Sequence, residues 1–143
     1  MSFGGPYLFA PLPSLLGIRP GMKVCVLNPP AGFLDKLEPL PDGVVLLDSA
    51  KTGLDVTVLF TSKKVELVER LPALARGMAV TGGVWICFPV PEQASSPTEE
   101  FVRLAALEVG LMDDKRIPLD PAWTGLRLVW RPRPRVDKPE VRA

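Results

Sequence analysis

The sequence predicts a three-layer α/β fold in which a mostly parallel sheet of about six strands ends in an antiparallel hairpin. Short apolar runs, typical of strands buried on both faces, alternate with segments whose apolar residues recur at helical spacing. Only the six residues Asp120–Gly125 separate the last two apolar runs. Because a parallel crossover needs about a dozen residues or more, these two strands must be antiparallel.

Composition supports one globular domain and excludes whole classes of catalytic site. The chain has 143 residues, 47% of them hydrophobic and 23% charged, which is close to the globular average. Its net charge of +1 gives no signature of a nucleic-acid or polyanion partner. The sequence contains no histidine. This excludes a histidine general base, a Ser-His-Asp or Cys-His arrangement and every histidine-containing metal site.

The first third of the chain is predicted to hold a capping segment, two strands and a short helix. Residues 1–20 are rich in proline and glycine, and their short apolar turn is expected to cap an edge of the core. The apolar strand Lys23–Leu27 follows and ends at two consecutive prolines. A short helix is expected at Phe33–Glu38, and a second strand at Val44–Leu47 after a Pro-Asp-Gly turn.

The middle third is predicted to hold a strand at Asp55–Phe60 and a long amphipathic helix. Thr61 or Ser62 is expected to cap this helix, which runs to about residue 78. Pro72 is expected to kink or restart it, because the proline ring clashes with the preceding turn. The helix carries an apolar stripe and an outer ion pair: Leu67, Val68, Leu71, Leu74, Ala75 and Met78, with Glu66 and Arg70.

The last third begins with a fourth buried strand at Val84–Phe88. The string SPTE at 96–99 predicts a helix start, with Ser96 as the cap, proline in the first turn and a glutamate three residues after the cap. This helix is expected to stop at Gly110. The terminal hairpin is expected at Lys115–Leu119 and Leu126–Arg131.

Residues 1–131 are expected to form a single domain, and 132–143 a flexible basic, proline-rich tail. Residues 131–143 hold five basic and two acidic side chains but no aromatic residue on which a base could stack. A solvated terminus is therefore predicted in preference to a nucleic-acid contact.

Two cysteines occur inside apolar runs, and no stretch of 18 apolar residues occurs. Cys25 and Cys87 are therefore predicted to be free, buried core thiols. The first residues have no positive region of the kind that begins a signal peptide. A cytoplasmic protein without a membrane span is expected.

The composition is also thermophile-like. The chain has 17 prolines, where average usage of about 5% would give about seven, and it has one asparagine and one glutamine. Adaptation to high temperature and the codon bias of a GC-rich genome both account for this pattern.

The order of elements resembles the class I S-adenosylmethionine methyltransferase fold, whose last strand inserts beside the preceding one. The strings LGIRPGM at 16–22, AGF at 31–33 and DxxWTGL at 120–126 more narrowly resemble a small family of uncharacterised bacterial proteins with a truncated, Rossmann-like version of that fold. The resemblance covers most of the chain, although the region between the second and third strands is too short for the usual third strand. It implies a fold but no established activity.

The turn after the first strand departs from the methyltransferase pattern. Proteins of this fold place a glycine-rich turn there, so that backbone N–H groups meet the cofactor. This chain has Asn28-Pro29-Pro30-Ala31-Gly32, and its prolines carry no N–H. No cofactor is therefore expected, and Asp48 after the second strand is interpreted as a solvated turn residue, although a ribose-binding role stays open. Asn28-Pro29-Pro30 also resembles the Asn-Pro-Pro-aromatic motif of amino-methyltransferases, but Ala31 replaces the aromatic residue.

Any ligand is expected beyond the carboxyl ends of the central strands. The polar residues predicted there are Asn28, Thr61 and Ser62, and Phe33 and Phe88 could form apolar walls. Capping and turn formation would equally explain all three polar residues.

Two further groups lie near the terminal hairpin. Trp123 and Asp120 in its predicted loop could form an interface, or the tryptophan could fold back while Asp120 accepts from loop amides. Asp113 and Asp114 are interpreted as a solvated turn, since no further carboxylate lies nearby, and no metal site is predicted.

These features favour a non-enzymatic protein that acts by binding a small ligand or a partner. The alternative is a degenerate S-adenosylmethionine-dependent enzyme that holds its cofactor in an unusual way. A homodimer formed through the edge of the terminal hairpin is a third possibility.

Overall fold

The six strands of the described part of the chain form one sheet, and helices pack on both of its faces. A computed structural model describes residues 11–132. In chain order, the elements of this part are α1 (Leu12–Leu16), β1 (Lys23–Leu27), α2 (Phe33–Lys36), β2 (Val45–Leu47), β3 (Leu54–Phe60), α3 (Lys64–Gly77), β4 (Met78–Pro89), α4 (Glu99–Glu108), β5 (Leu111–Asp120) and β6 (Trp123–Trp130). The predictions for residues 1–10 and for the tail at 133–143 lie outside the described residues.

The sheet has the order β2-β1-β3-β4-β6-β5. The pairs β2–β1, β1–β3 and β3–β4 are parallel, whereas β4–β6 and β6–β5 are antiparallel. The predicted mixed α/β sheet of six strands, mostly parallel and closed by an antiparallel hairpin, is therefore confirmed.

Alternating side chains of the central strands supply two separate cores, one on each face of the sheet. Val58 of β3 and Trp85 of β4 belong to the core under α1 and α2, while their neighbours Leu59 and Ile86 belong to the core under α3 and α4. All four side chains are almost fully buried. Strands of this kind must be apolar on both faces, which explains the continuous apolar runs in the sequence.

The described part of the segment before β1 packs on a face of the sheet, and the prediction that residues 1–20 cap an edge of the core stays a prediction. Leu16 and Ile18 are buried in the same core as Trp85. The indole Nε1 of Trp85 donates a hydrogen bond of 3.0 Å to the carbonyl oxygen of Leu16. Gly17 ends α1 at φ 82°, a value that favours glycine, and so turns the chain towards β1.

Both predicted helix caps lie one or two residues too early in the chain. Lys63 is the N-cap of α3 and makes no side-chain cap, while the Thr61 hydroxyl accepts from the Lys63 N–H in the turn before the helix. Thr98 caps α4 by accepting from the Phe101 N–H at 3.1 Å. The Ser96 hydroxyl bonds Gln93 in the preceding turn. Helix α3 continues through Pro72 without restarting.

The terminal hairpin is longer than predicted. Strand β5 begins at Leu111 and ends at Asp120, and β6 begins at Trp123. Only two residues therefore connect the two strands. Asp113 and Asp114, predicted in a solvated turn, lie within β5 instead. Their carboxylates pair with Arg103 at 3.1 Å and Arg127 at 3.3 Å, and a bulge follows Asp113.

The connection from β2 to β3 consists of only six residues, 48–53, and contains no helix. Parallel crossovers usually need about twice that length. A short connection suffices here because β2 has only three residues. The backbone carbonyl of Lys51 lies directly against Gly77 at the end of α3, where there is no room for a Cβ. In the strand order, β2 is an edge strand next to β1.

Two other predictions concern cysteines and membranes. Cys25 and Cys87 are buried free thiols, as predicted. Within residues 11–132, no helix is long and apolar enough to cross a membrane.

Candidate functional site

The carboxyl ends of the four parallel strands meet at one edge of the sheet. The connection after β1 leads to β2 on one side, whereas the connection after β3 leads to β4 on the other. The crevice between β1 and β3 is thus the point at which strand order reverses, where open α/β sheets bind ligands. Asn28 and Thr61 directly follow these two strands.

The turn after β1 has an unusual backbone. Asn28 has φ 55°, and it is the only residue other than glycine with positive φ among the described residues. Asparagine tolerates this left-handed conformation better than most residues. The Phe33 N–H donates to the carbonyl oxygen of Pro30 at 3.0 Å, and Gly32 at φ 84° begins α2. The turn therefore redirects the chain tightly into α2.

The side chain of Asn28 is fixed by two acceptors on neighbouring elements. Its Nδ2 donates to the Phe60 carbonyl oxygen at 3.3 Å and to Oε2 of Glu66 at 2.8 Å. Both amide hydrogens are used in this way. These bonds join the turn after β1 to the end of β3 and to α3.

Glu66 is the centre of a polar network that also contains Asn28, Thr61 and Arg70, here called the Glu66 network. The Thr61 hydroxyl donates to Oε1 of Glu66 at 2.6 Å, and Nη1 of Arg70 lies 3.4 Å from Oε2. Burial by itself raises the pKa of Glu66. Hydrogen bonds from Thr61, Asn28 and Arg70 outweigh that effect and hold the pKa below its usual range. Glu66 is therefore ionised at neutral pH.

An open cleft of about 430 Å³ lies beside Asn28, between the carboxyl ends of β1 and β2. We call it the β1–β2 cleft. Its lining residues are Val26, Asn28, Pro29, Leu34, Leu46, Leu47 and Asp48. Leu34 is 44% exposed and Leu46 is 39% exposed, so two large apolar side chains of this cleft are open to solvent. The cleft combines apolar walls with two polar side chains, the composition typical of small-molecule sites.

The structure places the predicted polar residues together but engages them internally. Asn28 and Thr61 both bind Glu66, and Thr61 is buried. Ser62 is half-buried, and its side chain makes no hydrogen bond within the described part of the chain. Of these three residues only Asn28 lines the β1–β2 cleft.

The two predicted apolar walls lie apart from the cleft. Phe33 is buried on the α1 and α2 face, with its ring edge-on to Phe60 at a centroid distance of 4.6 Å. Phe88 is buried in the core on the opposite face. The sequence does not show on which face of the sheet each phenylalanine packs, because Phe33 only comes after β1 and Phe88 only lies near the end of β4.

Sequence reasoning did not place Glu66 or Leu34 at a site, and it interpreted Asp48 as a solvated turn residue with a ribose-binding role left open. The sequence predicts Glu66 only as the partner of Arg70, and the structure contains that pair. The hydrogen bonds that Glu66 accepts from Asn28 and Thr61 depend on tertiary structure. Asp48 carried a signal, since acidic residues at strand ends can bind hydroxyl groups. Leu34 carries no signal in the sequence beyond its place in the predicted helix Phe33–Glu38.

Asp120 and Trp123 make contacts both within the hairpin and with other elements, including a pair between Asp120 and Lys36 of α2 at 3.4 Å. Oδ1 of Asp120 accepts from the N–H groups of Ala122 at 2.7 Å and Trp123 at 3.0 Å, which is the loop-capping role considered from the sequence. Trp123 is half-buried and packs edge-on against Phe60 at 5.1 Å. An interface role for these two residues stays a prediction.

No metal-binding cluster of three or more Cys, Asp or Glu side chains occurs among residues 11–132. Burial raises the pKa of both thiols, Cys25 and Cys87, which disfavours the thiolate that a metal or an electrophile would need.

Comparison with known proteins identifies the fold. No family model matches the chain, and no curated protein does. Solved structures do match it. The pyocyanin biosynthetic protein PhzM superposes with a TM-score of 0.62 at 14% identity, covering 84% of this chain and 53% of PhzM. The ribosomal protein L11 methylase from Lactobacillus delbrueckii subsp. bulgaricus gives 0.60 at 12% identity, covering 83% and 74%.

A third solved structure, a variant of LepI in complex with SAH and a substrate analogue, gives a TM-score of 0.53 at 12% identity and covers 92% of this chain. The chain spans about half of LepI, 49%. Further matching structures are S-adenosylmethionine-dependent methyltransferases. The chain therefore has a methyltransferase-like fold, and identities this low carry the fold alone.

Proposed function

We propose that the protein binds a small molecule in the β1–β2 cleft and acts through that binding. One observation carries the proposal: Asn28 and Asp48 line an open cleft with apolar walls at the carboxyl edge of the sheet. Open α/β sheets bind their ligands at this edge, since strand ends and turns there present free polar groups. A volume of about 430 Å³ suits a metabolite-sized ligand.

The exposed apolar side chains support the same conclusion. Leu34 and Leu46 come from different elements, α2 and β2, and both line the cleft. Covering an exposed apolar area is favourable by about 25 cal/mol per Å². A ligand with an apolar body would therefore gain free energy from these side chains in addition to its polar contacts.

A second candidate is S-adenosylmethionine-dependent methyl transfer. It is favoured by the shared fold and by Asp48, whose carboxylate at the end of β2 could accept from ribose hydroxyls. The turn after β1 fits the rest of this cofactor poorly. Pro29 and Pro30 have no N–H to offer the cofactor's carboxylate, and no basic side chain is among the lining residues of the cleft. The residues fit a nucleoside's hydroxyls but not the whole cofactor.

Calorimetry and thermal shift with matched aspartate variants test both candidates. The ligands are S-adenosylmethionine, S-adenosylhomocysteine and a panel of metabolites without phosphate. Asp48→Asn keeps the size of the side chain and removes the cleft's carboxylate. Asp42→Asn makes the same change outside the cleft's lining and serves as the control.

Stabilisation by a panel compound that is weakened at least about tenfold in Asp48→Asn but not in Asp42→Asn supports binding in the cleft. Micromolar binding of S-adenosylmethionine, followed by transfer of its labelled methyl group to an acceptor, would favour the second candidate. If no compound binds at millimolar concentration, the proposed function is wrong.

A further inference from the structure

The orientation of the Asn28 amide is determined by its surroundings. Its two contacts, the Phe60 carbonyl oxygen and the ionised Glu66 carboxylate, can only accept hydrogen bonds. The reverse orientation would place the amide oxygen Oδ1 against two acceptors and lose both hydrogen bonds. The amide nitrogen must therefore face Glu66.

This orientation leaves Oδ1 as the free polar atom of a residue that lines the cleft. Among residues 11–132, no group donates a hydrogen bond to Oδ1 of Asn28, and the residue is exposed. An amide that has used both hydrogens can offer a ligand only an acceptor.

The remaining polar side chain of the cleft is also an acceptor. Asp48 contributes a carboxylate, Pro29 has no N–H, and the other lining side chains are hydrocarbon. Arg70 is the cation of the Glu66 network, but its guanidinium faces Glu66 and it is not among the lining residues. The cleft thus presents side-chain acceptors and one negative charge.

We infer that the β1–β2 cleft selects ligands that carry a primary ammonium or similar donor group on an apolar body, and that Glu66 is the positioning residue that makes it selective. The inference rests on the proposed function of this cleft and specifies its ligand class. Oδ1 of Asn28 and the Asp48 carboxylate are both acceptors for the hydrogens of an ammonium, and an apolar body would cover Leu34 and Leu46. A phosphate or carboxylate there would meet unpaired acceptors and a like charge.

The first test needs no ligand. In ¹H–¹⁵N NMR spectra at pH 7, the side-chain NH₂ hydrogens of Asn28 should exchange with solvent at least about tenfold more slowly than those of a free asparagine. Glu66→Ala should remove this protection. Glu69→Ala, an exposed position on the same helix, is the control and should retain it. If the wild-type hydrogens exchange as fast as free ones, the amide is not fixed and the inference is wrong.

The second test uses two probes with the same apolar body and opposite charge, phenethylamine and 3-phenylpropionate. In the wild type, phenethylamine should shift the resonances of Asn28 and Leu47 and bind at least about tenfold more tightly than 3-phenylpropionate. Glu66→Ala should reduce this preference, and Glu66→Gln, which can still accept from Nδ2, should restore part of it. Circular dichroism confirms that each variant is folded.

The outcomes separate the inference from the proposed function. Equal or tighter binding of 3-phenylpropionate in the cleft would refute the ligand class while leaving a binding site. An unchanged preference in a folded Glu66→Ala protein would refute the positioning role. If neither probe shifts any cleft resonance at millimolar concentration, the inference is wrong, and failure of the whole metabolite panel would additionally end the proposed function.

Discussion

Replacing Trp85 by phenylalanine should destabilise the protein strongly, because this side chain holds α1 on the sheet. Trp85 is 1% exposed, and its Nε1 donates to the Leu16 carbonyl oxygen at 3.0 Å. Phenylalanine would leave that buried carbonyl without its partner, at a cost of about 1–3 kcal/mol. The smaller ring would also leave a void of about 40 Å³, which costs about 1 kcal/mol at about 24 cal/mol per Å³.

Together, the two effects should lower the free energy of unfolding by about 2–4 kcal/mol. This is a large fraction of the total for a typical domain, which is about 5–15 kcal/mol. Urea unfolding followed by far-ultraviolet circular dichroism measures it. With a slope of about 2 kcal/mol per molar urea, the midpoint should fall by about 1–2 M.

Trp130→Phe is the matched control, because this tryptophan is 37% exposed and makes no side-chain hydrogen bond within the described residues. It should change the free energy of unfolding by less than about 1 kcal/mol. If the two variants lose similar stability, the indole hydrogen bond and its burial do not anchor α1, and the explanation given for the N-terminal segment fails.

Three further changes test other parts of the structure by the same unfolding measurement. Gly125→Ala should lower the free energy of unfolding by about 1–3 kcal/mol, since a Cβ there would lie 3.1 Å from the Trp85 ring and 3.4 Å from the Cys87 sulfur. An unchanged urea midpoint would show that these neighbours move aside freely. Thr98→Ala should cost about 1 kcal/mol through loss of the α4 cap, and a neutral result would contradict the assigned helix start. The folded protein lowers the pKa of Glu66, so the stability this carboxylate contributes is present above its ordinary pKa of about 4.3 and is lost as the pH falls through the lowered value. The wild type should therefore lose its advantage over Glu66→Gln as the pH falls from neutral through the lowered pKa, and a difference that stays constant from neutral to acid pH would refute the assignment.

Strands β1 and β3, which are buried on both faces, were predictable from the sequence almost to the residue, whereas β4, expected at Val84–Phe88, begins at Met78. Strand β1 occurs at Lys23–Leu27, as predicted, and β3 differs from its prediction by one residue at its start. Burial on both faces forces these segments to be apolar throughout, so composition alone marks their ends. The short connection between the last strands likewise determined that they are antiparallel.

Edge strands were less predictable because solvent relaxes the requirement for apolar residues. The first half of β5 contains Asp113 and Asp114, which are typical of turns, yet these residues pair with Arg103 and Arg127 across neighbouring elements. The start of α4 was also hard to predict, because Ser96 and Thr98 both carry hydroxyl groups that can cap a helix. The Ser96 hydroxyl bonds Gln93 in the preceding turn, and Thr98 is the N-cap.

Residue types and their spacing were enough to establish the class of fold, the absence of histidine chemistry and the loss of backbone donors after β1. What the polar residues at the sheet edge do depends instead on how the chain packs. Asn28, Thr61 and Glu66 lie apart in sequence, and the parallel order of β1 and β3 and the docking of α3 bring them within hydrogen-bond distance. Hydrogen bonds form over a few ångströms, so which atoms remain free for a ligand follows from packing and not from residue identity.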